Sequence, residues 1–253
     1  MLALIGGTGM SELPGFVVEQ KRVVCTRHGE ATILDGRLGD IPLVFLPRHG
    51  EAHTLPPHLI NYRANMLALG QCGVKRIIAT AAVGSLNPAM KPGDFVLVSD
   101  FIDFTRERPL TIFDRPGEVL HTDFTQPYCP EIRQVLEHTA ESLDIPVHFA
   151  GTYLCADGPR YETPAEIRMF AQWGADVVGM TGVPEVVFAR ELGMCYATVA
   201  IVTNWAAGMS PSRLSHQEVV EVMASRRPPL LEWLSRTFVQ IPDSPCASCT
   251  PGP

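Results

Sequence analysis

The sequence predicts an α/β fold in which helices cover a mostly parallel or mixed sheet. Apolar runs of about four to eight residues alternate with helical patterns, which is typical of strands that alternate with helices. A chain of 253 residues is long enough for one large domain, and no linker or internal repeat divides it. We therefore expect a single domain over residues 1–242, followed by a flexible tail over residues 243–253.

The predicted elements follow in chain order. Strands are expected at Leu2–Ile5, Leu43–Leu46, Arg76–Thr80, Phe95–Ser99, Val147–Leu154, Val177–Met180 and Tyr196–Thr203. Helices are expected at Leu59–Gly70, Pro130–Leu143, Pro164–Trp173, Pro184–Leu192 and from His216 onward. Capping boxes at Thr163–Glu166 and Ser215–Glu218 mark two helix starts, and Pro228-Pro229 predicts a kink or a break in the last helix. The turn-rich stretch Phe101–Tyr128 is expected to form a long functional or interface loop.

Composition excludes several classes of protein. Hydrophobic residues make up 46% of the chain and charged residues 19%, which indicates a globular protein. The net charge of −7 argues against a nucleic-acid partner, because such a partner requires a concentrated basic surface. The sequence has neither an apolar run of about 18 residues for a membrane span nor a basic leader before its first apolar run. We therefore expect a cytoplasmic protein with no nucleic-acid or membrane partner.

The seven cysteines are scattered through the chain and odd in number. In a cytoplasmic protein this pattern indicates reduced and mostly buried thiols. Cys246 and Cys249 form a lone C-x-x-C near the end of the chain, and a metal site would need a second pair of ligands. The sequence points to no such pair, so no metal site is expected.

Three loops that follow predicted strands carry groups suited to an anion. Gly6-Gly7-Thr8-Gly9 offers backbone N–H groups and a hydroxyl, and Glu12 breaks the glycine pattern that a dinucleotide fold requires. Arg48 offers a rigid fork of donors and His49 a further donor. The small residues from Thr80 to Leu86 permit close approach of the backbone. Several strand ends with such groups indicate one oxyanion site at the edge of the sheet.

The stretch from Gly158 to Gly208 adds polar groups at the edges of strands and helices. Glu162 offers two acceptors, Thr181 a hydroxyl, and Asn204 both a donor and an acceptor. Such a set suits a heterocycle that carries both N–H and C=O, bound next to an oxyanion.

This stretch, GPRYETPAEIRMFAQWGADVVGMTGVPEVVFARELGMCYATVAIVTNWAAG, closely resembles the purine nucleoside phosphorylase family. The run RHGEAHTLPPHLINYRAN resembles the methylthioadenosine phosphorylase branch of the same superfamily. The resemblance covers residues 1–240 and implies a single-domain fold with a twisted mixed β-sheet, partly barrel-like, flanked by helices. It also implies a transferase of purine salvage that cleaves a purine nucleoside with phosphate, giving a free base and a sugar 1-phosphate.

The resemblance assigns roles to residues of this chain. Phosphate, a co-substrate, would be bound by Thr8, Arg48, His49, Ala82 and Thr181. The nucleoside would be bound by Glu162, Met180, Asn204, Ala206 and His216, with His121 contributed by the neighbouring subunit of a homotrimer. Asn204, Glu162 and His49 would carry the catalytic roles, and no metal or organic cofactor is implied. His53, His58 and Asn61 are interpreted as structural or inter-subunit residues, and Ala81 replaces a hydroxyl residue of the methylthioadenosine branch.

Glu162 and Asn204 indicate which purine is meant. A carboxylate facing N1 and an amide near O6 and N7 complement a 6-oxopurine, whereas the N1 lone pair of adenine would meet the carboxylate repulsively. In the related bacterial enzymes a histidine at the position of His216 binds the ribose 5′-hydroxyl. We therefore expect phosphorolysis of inosine and guanosine. Phosphorolysis of S-methyl-5′-thioadenosine or S-methyl-5′-thioinosine is the alternative, and a purine sensor without turnover is a third hypothesis.

Overall fold

The computed structural model describes residues 1–10, 13–211, 214–242 and 246–249 of the chain. The strands are β1 (Leu2–Gly6), β2 (Phe16–Thr26), β3 (Gly29–Leu38), β4 (Ile41–Pro47), β5 (Arg76–Ser85), β6 (Phe95–Leu97), β7 (Asp100–Phe104), β8 (Val147–His148), β9 (Thr152–Ala156), β10 (Val177–Gly179) and β11 (Cys195–Trp205). The helices are α1 (Tyr62–Gln71), α2 (Pro130–Ser142), α3 (Pro164–Gln172), α4 (Gly182–Glu191) and α5 (His216–Gln240), with short 3₁₀ turns at Pro57–Leu59 and Ala247–Cys249. This is the predicted mixed α/β architecture.

All described strands belong to one mixed sheet, and β5 is its centre. Strands β2, β3, β4, β1, β5, β10, β9 and β7 lie side by side in that order. β5 is parallel to β1 and β11 and antiparallel to β10, while β11 continues the sheet toward β6 and β8. The sheet therefore branches at β5, with β1, β4, β5 and β11 all running in one direction.

One edge of β5 is left open in its middle. β1 pairs with β5 only as far as Ala79, and β10 pairs with it again only from Gly84. Between these points Thr80–Val83 pair with β11 on the other edge. We call residues Thr80–Val83 the β5 opening. In a strand, the N–H and C=O groups of alternate residues point to the same edge. Alternate residues of the β5 opening therefore direct their backbone donors and acceptors to the unpaired edge, beside the ends of β1 and β4.

Three strands were missed by the sequence analysis. β2 and β3 form a long antiparallel hairpin, and β2 is exposed along most of its length, so it lacks the alternation of buried and exposed positions that marks a strand in a sequence. β7 was assigned to the long loop, yet it pairs with β9. The predicted strand Val147–Leu154 is in fact two, because β8 pairs with β6 whereas β9 pairs with β7 and β10.

The helices agree with the prediction except at one point. The capping box at Thr163 is present: the side chains of Thr163 and Glu166 each accept a hydrogen bond from the backbone N–H of the other. At the start of α5 the Ser215 hydroxyl accepts from the Glu218 N–H at 3.2 Å. Of the kink or break predicted at Pro228-Pro229, the break is absent: α5 continues as one helix through both prolines. Beyond the two prolines, the buried side chains of Leu230, Trp233 and Leu234 pack α5 against the core.

Part of the predicted tail packs against the domain. Cys249 is buried, and Arg190 donates from Nη1 to the Ser248 carbonyl at 2.9 Å. The expectation of a flexible tail is therefore wrong for residues 246–249, while 243–245 and 250–253 lie outside the described residues. Within the part of the chain that the structure describes, no helix is both long and apolar enough to cross a membrane.

Candidate active site

A cavity of about 350 Å³ opens where β1, β4, β5, β10 and β11 end. It is lined by ten of the residues that the sequence analysis selected, namely Thr8, Arg48, His49, Ala82, Glu162, Met180, Thr181, Asn204, Ala206 and His216. His121, the remaining residue of that selection, is not part of this lining and is exposed on the long loop. The strand order thus brings together segments up to about two hundred residues apart in sequence.

The loop after β1 packs closely against the β5 opening. The Gly7 N–H donates to the Thr80 hydroxyl at 3.1 Å. A Cβ on Gly7 would lie 2.6 Å from the Thr80 carbonyl oxygen and 2.8 Å from Nη1 of Arg48. Only glycine fits here without a shift of the backbone, so Gly7 fixes the position of Thr8 beside Arg48.

Arg48 forms a buried ion pair with Glu185 of α4. Nε and Nη2 of Arg48 donate to the two carboxylate oxygens of Glu185 at 2.8 and 2.7 Å, and both side chains are 1% exposed. Nη1 of Arg48 donates to the Thr80 carbonyl at 2.8 Å, and the Tyr196 hydroxyl donates to Glu185 at 2.6 Å. Burial opposes the charge of the guanidinium, but the attraction of Glu185 outweighs it, so the pKa of Arg48 lies above its ordinary value.

The ion pair determines what Arg48 can offer to a ligand. A guanidinium has five N–H bonds, and three of them are directed to Glu185 and Thr80. One N–H on each terminal nitrogen has no hydrogen bond to the described residues and is left for a ligand. Because Glu185 neutralises the charge of Arg48 locally, an anion in this cavity depends on directed N–H and O–H groups more than on net positive charge.

His49 is held as a neutral ring. Its Nδ1 lies 2.8 Å from the Leu55 carbonyl oxygen, and because a carbonyl only accepts, Nδ1 carries the hydrogen. Burial, reinforced by the charge of Arg48, lowers the pKa of His49 from 6.5 to about 4. The sequence analysis expected a donor to phosphate, but in the neutral ring Nε2 is an acceptor.

The backbone around Thr181 is oriented by a buried tyrosine. The Tyr153 hydroxyl accepts from the N–H groups of Thr181 and Gly182 at 3.2 and 3.3 Å. On the other side of the same strand end, Arg108 donates to the carbonyls of Met180 and Val183. These bonds hold the segment Met180–Val183 against the cavity, and Arg108 comes from the long loop that the sequence analysis marked as functional.

Two further side chains that line the cavity have hydrogen-bonding groups suited to a heterocycle. Asn204 is buried, its Oδ1 accepts from the Thr203 hydroxyl and its Nδ2 donates to the Trp205 carbonyl, each at 2.9 Å. The amide therefore has a fixed orientation, with one N–H and one lone pair left over. Oε1 of Glu162 is buried and has no hydrogen-bond partner among the described residues, and burial raises the pKa of this carboxyl group above its ordinary value.

Several residues of the site escaped the sequence analysis. His53, interpreted as structural or inter-subunit, lines the cavity and its ring centroid lies 4.5 Å from that of His49. Glu185 and Tyr153 looked like parts of apolar elements, although a carboxylate within the run GVPEVVFA was a signal of a buried charge that needs a partner. Asn61, in contrast, is structural as expected, since it caps α1 through the Ala64 N–H at 3.1 Å.

A family model of the phosphorylase superfamily matches residues 2–235, and the chain belongs to that superfamily. The 6-oxopurine nucleoside phosphorylase of Pyrococcus furiosus is 52% identical to it over 98% of this chain and 96% of the relative. A probable S-methyl-5′-thioinosine phosphorylase of Methanopyrus kandleri is 46% identical over the same shares. The solved structure of methylthioadenosine phosphorylase from Schistosoma mansoni in complex with adenine superposes with a TM-score of 0.90 at 34% identity, covering 94% of this chain and 90% of that one. The family and the nucleoside-phosphorylase fold implied by the sequence motifs are thereby confirmed.

The Arg48–Glu185 pair yields a prediction about stability. Glu185→Gln and Arg48→Met each leave one buried charge without its partner, so each should lower the free energy of unfolding by about 3–5 kcal/mol. The double variant Arg48→Met/Glu185→Gln removes both charges and should lose clearly less than the sum of the two single losses. Urea unfolding of the four proteins measures this coupling. Additive losses would mean that the two charges do not depend on each other.

His49 yields a prediction about pH. Its pKa in the folded protein is about 4 and its ordinary value is 6.5, so between these values the unfolded chain binds the proton more readily. The contribution of His49 to the free energy of unfolding is therefore fully present above pH 6.5. It is lost as the pH falls from 6.5 through 4, and the total loss approaches about 3 kcal/mol. His49→Gln should show a correspondingly flatter decline of unfolding free energy between pH 7 and pH 4. Parallel pH profiles for the wild type and the variant would contradict a buried, neutral His49.

Proposed function

We propose that this protein cleaves the 6-oxopurine nucleosides inosine and guanosine with phosphate, releasing the purine base and ribose 1-phosphate. The observation that carries this proposal is the buried Oε1 of Glu162, which has no hydrogen-bond partner within the described part of the chain and lies in the same cavity as the amide of Asn204. A buried acceptor without a donor costs about 1–3 kcal/mol, and the N1–H of a 6-oxopurine would remove that cost. The N1 of adenine has a lone pair and would not.

Asn204 complements the other edge of the same base. Its free N–H can donate to O6 or N7 of a 6-oxopurine, and it is fixed for this by Thr203 and Trp205. During cleavage of the glycosidic bond, negative charge grows on the departing purine. A donor that is oriented before the reaction stabilises that charge without reorganising. Asn204 and Glu162 would thus distinguish the base and assist its departure.

Phosphate would occupy the end of the cavity beside the β5 opening. Its oxygens would accept hydrogen bonds from the two remaining N–H bonds of Arg48, from the hydroxyls of Thr8 and Thr181 and from the Ala82 N–H. A P–OH group of the phosphate would donate to Nε2 of neutral His49. Phosphate is already an anion, so it needs no general base. Held on the face of the ribose opposite the base, it would stabilise an oxocarbenium-like sugar cation and attack it. Because Ala81 has no hydroxyl, one contact expected in the methylthioadenosine branch would be missing.

The proposal extends to the oligomeric state, the cofactor requirement and the cellular compartment of the protein. We propose a homotrimer in which His121 completes the ribose site of a neighbouring subunit. The exposed apolar side chains of Leu110, Val119 and Leu120, in the same long loop, support an interface there. The reaction would need no metal or organic cofactor, and it would take place in the cytoplasm, whose reducing conditions suit the seven free thiols of the chain.

The alternative substrate is S-methyl-5′-thioinosine, which carries the same 6-oxopurine. The relative from Methanopyrus kandleri bears that activity in its name. In this chain the apolar side chains Leu55, Leu214 and Val219 line the same cavity as His216, and they could cover a thioether. His216 is the residue that would favour a 5′-hydroxyl instead. Methylthioadenosine is disfavoured by Glu162 for the reason that applies to adenine.

The substrate assignment is tested with inosine, guanosine, adenosine, S-methyl-5′-thioadenosine and S-methyl-5′-thioinosine, each with and without phosphate. Inosine and guanosine should be cleaved only with phosphate, or with arsenate in its place. Glu162→Ala should lower kcat/KM for inosine about 10-fold or more, as expected for a lost hydrogen bond to a charged group. The control Glu232→Ala, an exposed residue of α5, should leave it unchanged. Cleavage without phosphate would indicate a hydrolase, and a preference for adenosine would refute the role of Glu162.

The 5′ specificity is tested at His216. If its imidazole bonds the 5′-hydroxyl, His216→Val should lower kcat/KM for inosine by about 5–30-fold, the effect of one hydrogen bond. The same change should raise kcat/KM for S-methyl-5′-thioinosine. A thioether that packs against the imidazole of His216 removes water from a polar ring, which is unfavourable, whereas valine has no polar group to desolvate. His138→Val, at an exposed position of α2, is the matched control. An unchanged ratio between the two substrates would leave His216 as a helix-start residue and favour the methylthio substrate.

A further inference from the structure

Four cysteines from separate parts of the chain meet on the side of the domain away from the cavity lining. They are Cys129 at the start of α2, Cys195 at the start of β11, and Cys246 and Cys249 around the last 3₁₀ turn. Their sulfur atoms all lie within 4.8 Å of one another. Sγ of Cys246 lies 3.3 Å from that of Cys249, 3.4 Å from that of Cys129 and 3.7 Å from that of Cys195. We call these four residues the cysteine cluster.

Contacts that do not involve sulfur hold the parts of the cysteine cluster in place. The Cys129 N–H donates to the Tyr196 carbonyl at 2.8 Å, and the Cys195 N–H donates to the Lys75 carbonyl at 2.9 Å. These bonds join the starts of α2 and β11 to each other and to β5. Arg190 of α4 donates to the Ser248 carbonyl at 2.9 Å, which fixes the C-x-x-C turn from the other side. The convergence of the thiols is therefore supported by the surrounding backbone.

Ordinary packing does not account for this arrangement. A buried cysteine commonly behaves as a small apolar residue, and three of these four are buried within a large apolar cluster. Such residues would find carbon neighbours there, yet these sulfurs face one another. All four are free cysteines, and Cys246 has no single disulfide partner, because it lies at a similar distance from all three others. A tetrahedral ion with bonds of about 2.3 Å to sulfur has ligand edges of roughly 3.8 Å, close to the separations found here.

We propose that Cys129, Cys195, Cys246 and Cys249 bind one zinc ion in a closed, tetrahedral structural site. Four thiolates and no other donor form the ligand set that zinc prefers, and a fully occupied shell leaves no position for a substrate. Binding converts up to four thiols to thiolates and releases their protons, and the resulting centre carries a net charge of about −2.

Neighbouring groups favour that negative charge. The Cys246 N–H donates to Sγ of Cys195 at 3.4 Å, a bond that stabilises a thiolate and orients it. Cys129 is the N-cap residue of α2, where the helix dipole favours a negative group. The guanidinium of Arg190 reaches the carbonyl of Ser248, between the two cysteines of the turn. The sequence analysis found no partner pair for the C-x-x-C because Cys129 and Cys195 are distant in the chain, and its expectation of no metal site is replaced by this proposal.

The zinc ion would fasten the C-terminal segment to the strand that carries Asn204. β11 begins at Cys195 and reaches Asn204 at its other end. Arg190, which bonds the turn, also donates to the Asp123 carbonyl in the long loop that carries His121. Loss of the ion would therefore loosen the C-terminal segment first and lower the stability of the whole domain.

Metal analysis of the full-length protein, purified with a thiol reductant and without chelators, tests the proposal. We expect about one zinc per chain, as a four-ligand structural site requires. Cys249→Ser should lose it, and so should Cys246→Ser, at a less buried position, which serves if Cys249→Ser does not fold. Cys25→Ser, at an exposed thiol outside the cysteine cluster, should retain it. Less than half an equivalent in the wild type, or equal zinc in Cys249→Ser, would overturn the proposal.

Cobalt supplies a readout of the ligands themselves. Exchange of the ion for Co²⁺ should give the sulfur-to-metal charge-transfer bands of a tetrathiolate centre in the wild type and in Cys25→Ser. Cys249→Ser should lack them. An intact mass lower by two hydrogens, with two thiols of the cysteine cluster resistant to alkylation, would show a disulfide in place of the metal, and bound iron would refute zinc. None of these measurements depends on nucleoside cleavage, so they stand apart from the proposed function.

Discussion

The buried ion pair between Arg48 and Glu185 is the interaction on which the rest of the site depends. It joins the end of β4 to α4, and through Thr80 and Tyr196 it also engages β5 and β11. A charge buried at this depth is costly without its partner, so none of these four elements can shift independently. Such a pair adds little net stability compared with apolar packing. Its value is that it fixes the direction of the two N–H bonds left for an anion.

The sheet provides the place where that anion can bind. β1 ends before β10 begins along the same edge of β5, and the β5 opening lies between them. A strand normally satisfies its main-chain groups with its neighbours, and here an interruption of the pairing leaves such groups facing the cavity. The proposed phosphate end of the site is thus built from the backbone and from an arginine whose positive charge is balanced by Glu185. The proposed base end is built from side chains, and Oε1 of one of them, Glu162, has no donor among the residues that the structure describes.

The comparisons separate the scaffold from the specificity of the site. The chain superposes closely on a methylthioadenosine phosphorylase that was solved with adenine, while two relatives that are more similar in sequence are named as a 6-oxopurine nucleoside phosphorylase and a probable one. One fold therefore serves both kinds of base, and the choice between them lies in a few polar groups. In this chain we propose that Glu162 and Asn204 make the choice, because each has hydrogen-bonding capacity to offer to the edge of the base that distinguishes hypoxanthine from adenine.

The sequence by itself determined the fold class, the family and ten residues that line the cavity. It could do so because Thr8, Arg48, Thr181 and Asn204 each stand at the end of an apolar strand, and strand order brings such ends together. The tertiary structure alone decided how these groups are used. Glu185 stands 137 residues from Arg48, and the acceptor role of His49 depends on the carbonyl of Leu55. Cys129 and Cys195 join the C-x-x-C only in space. Local patterns reveal an element and its exposed ends, whereas long-range pairs of buried polar groups become visible only when the chain has folded.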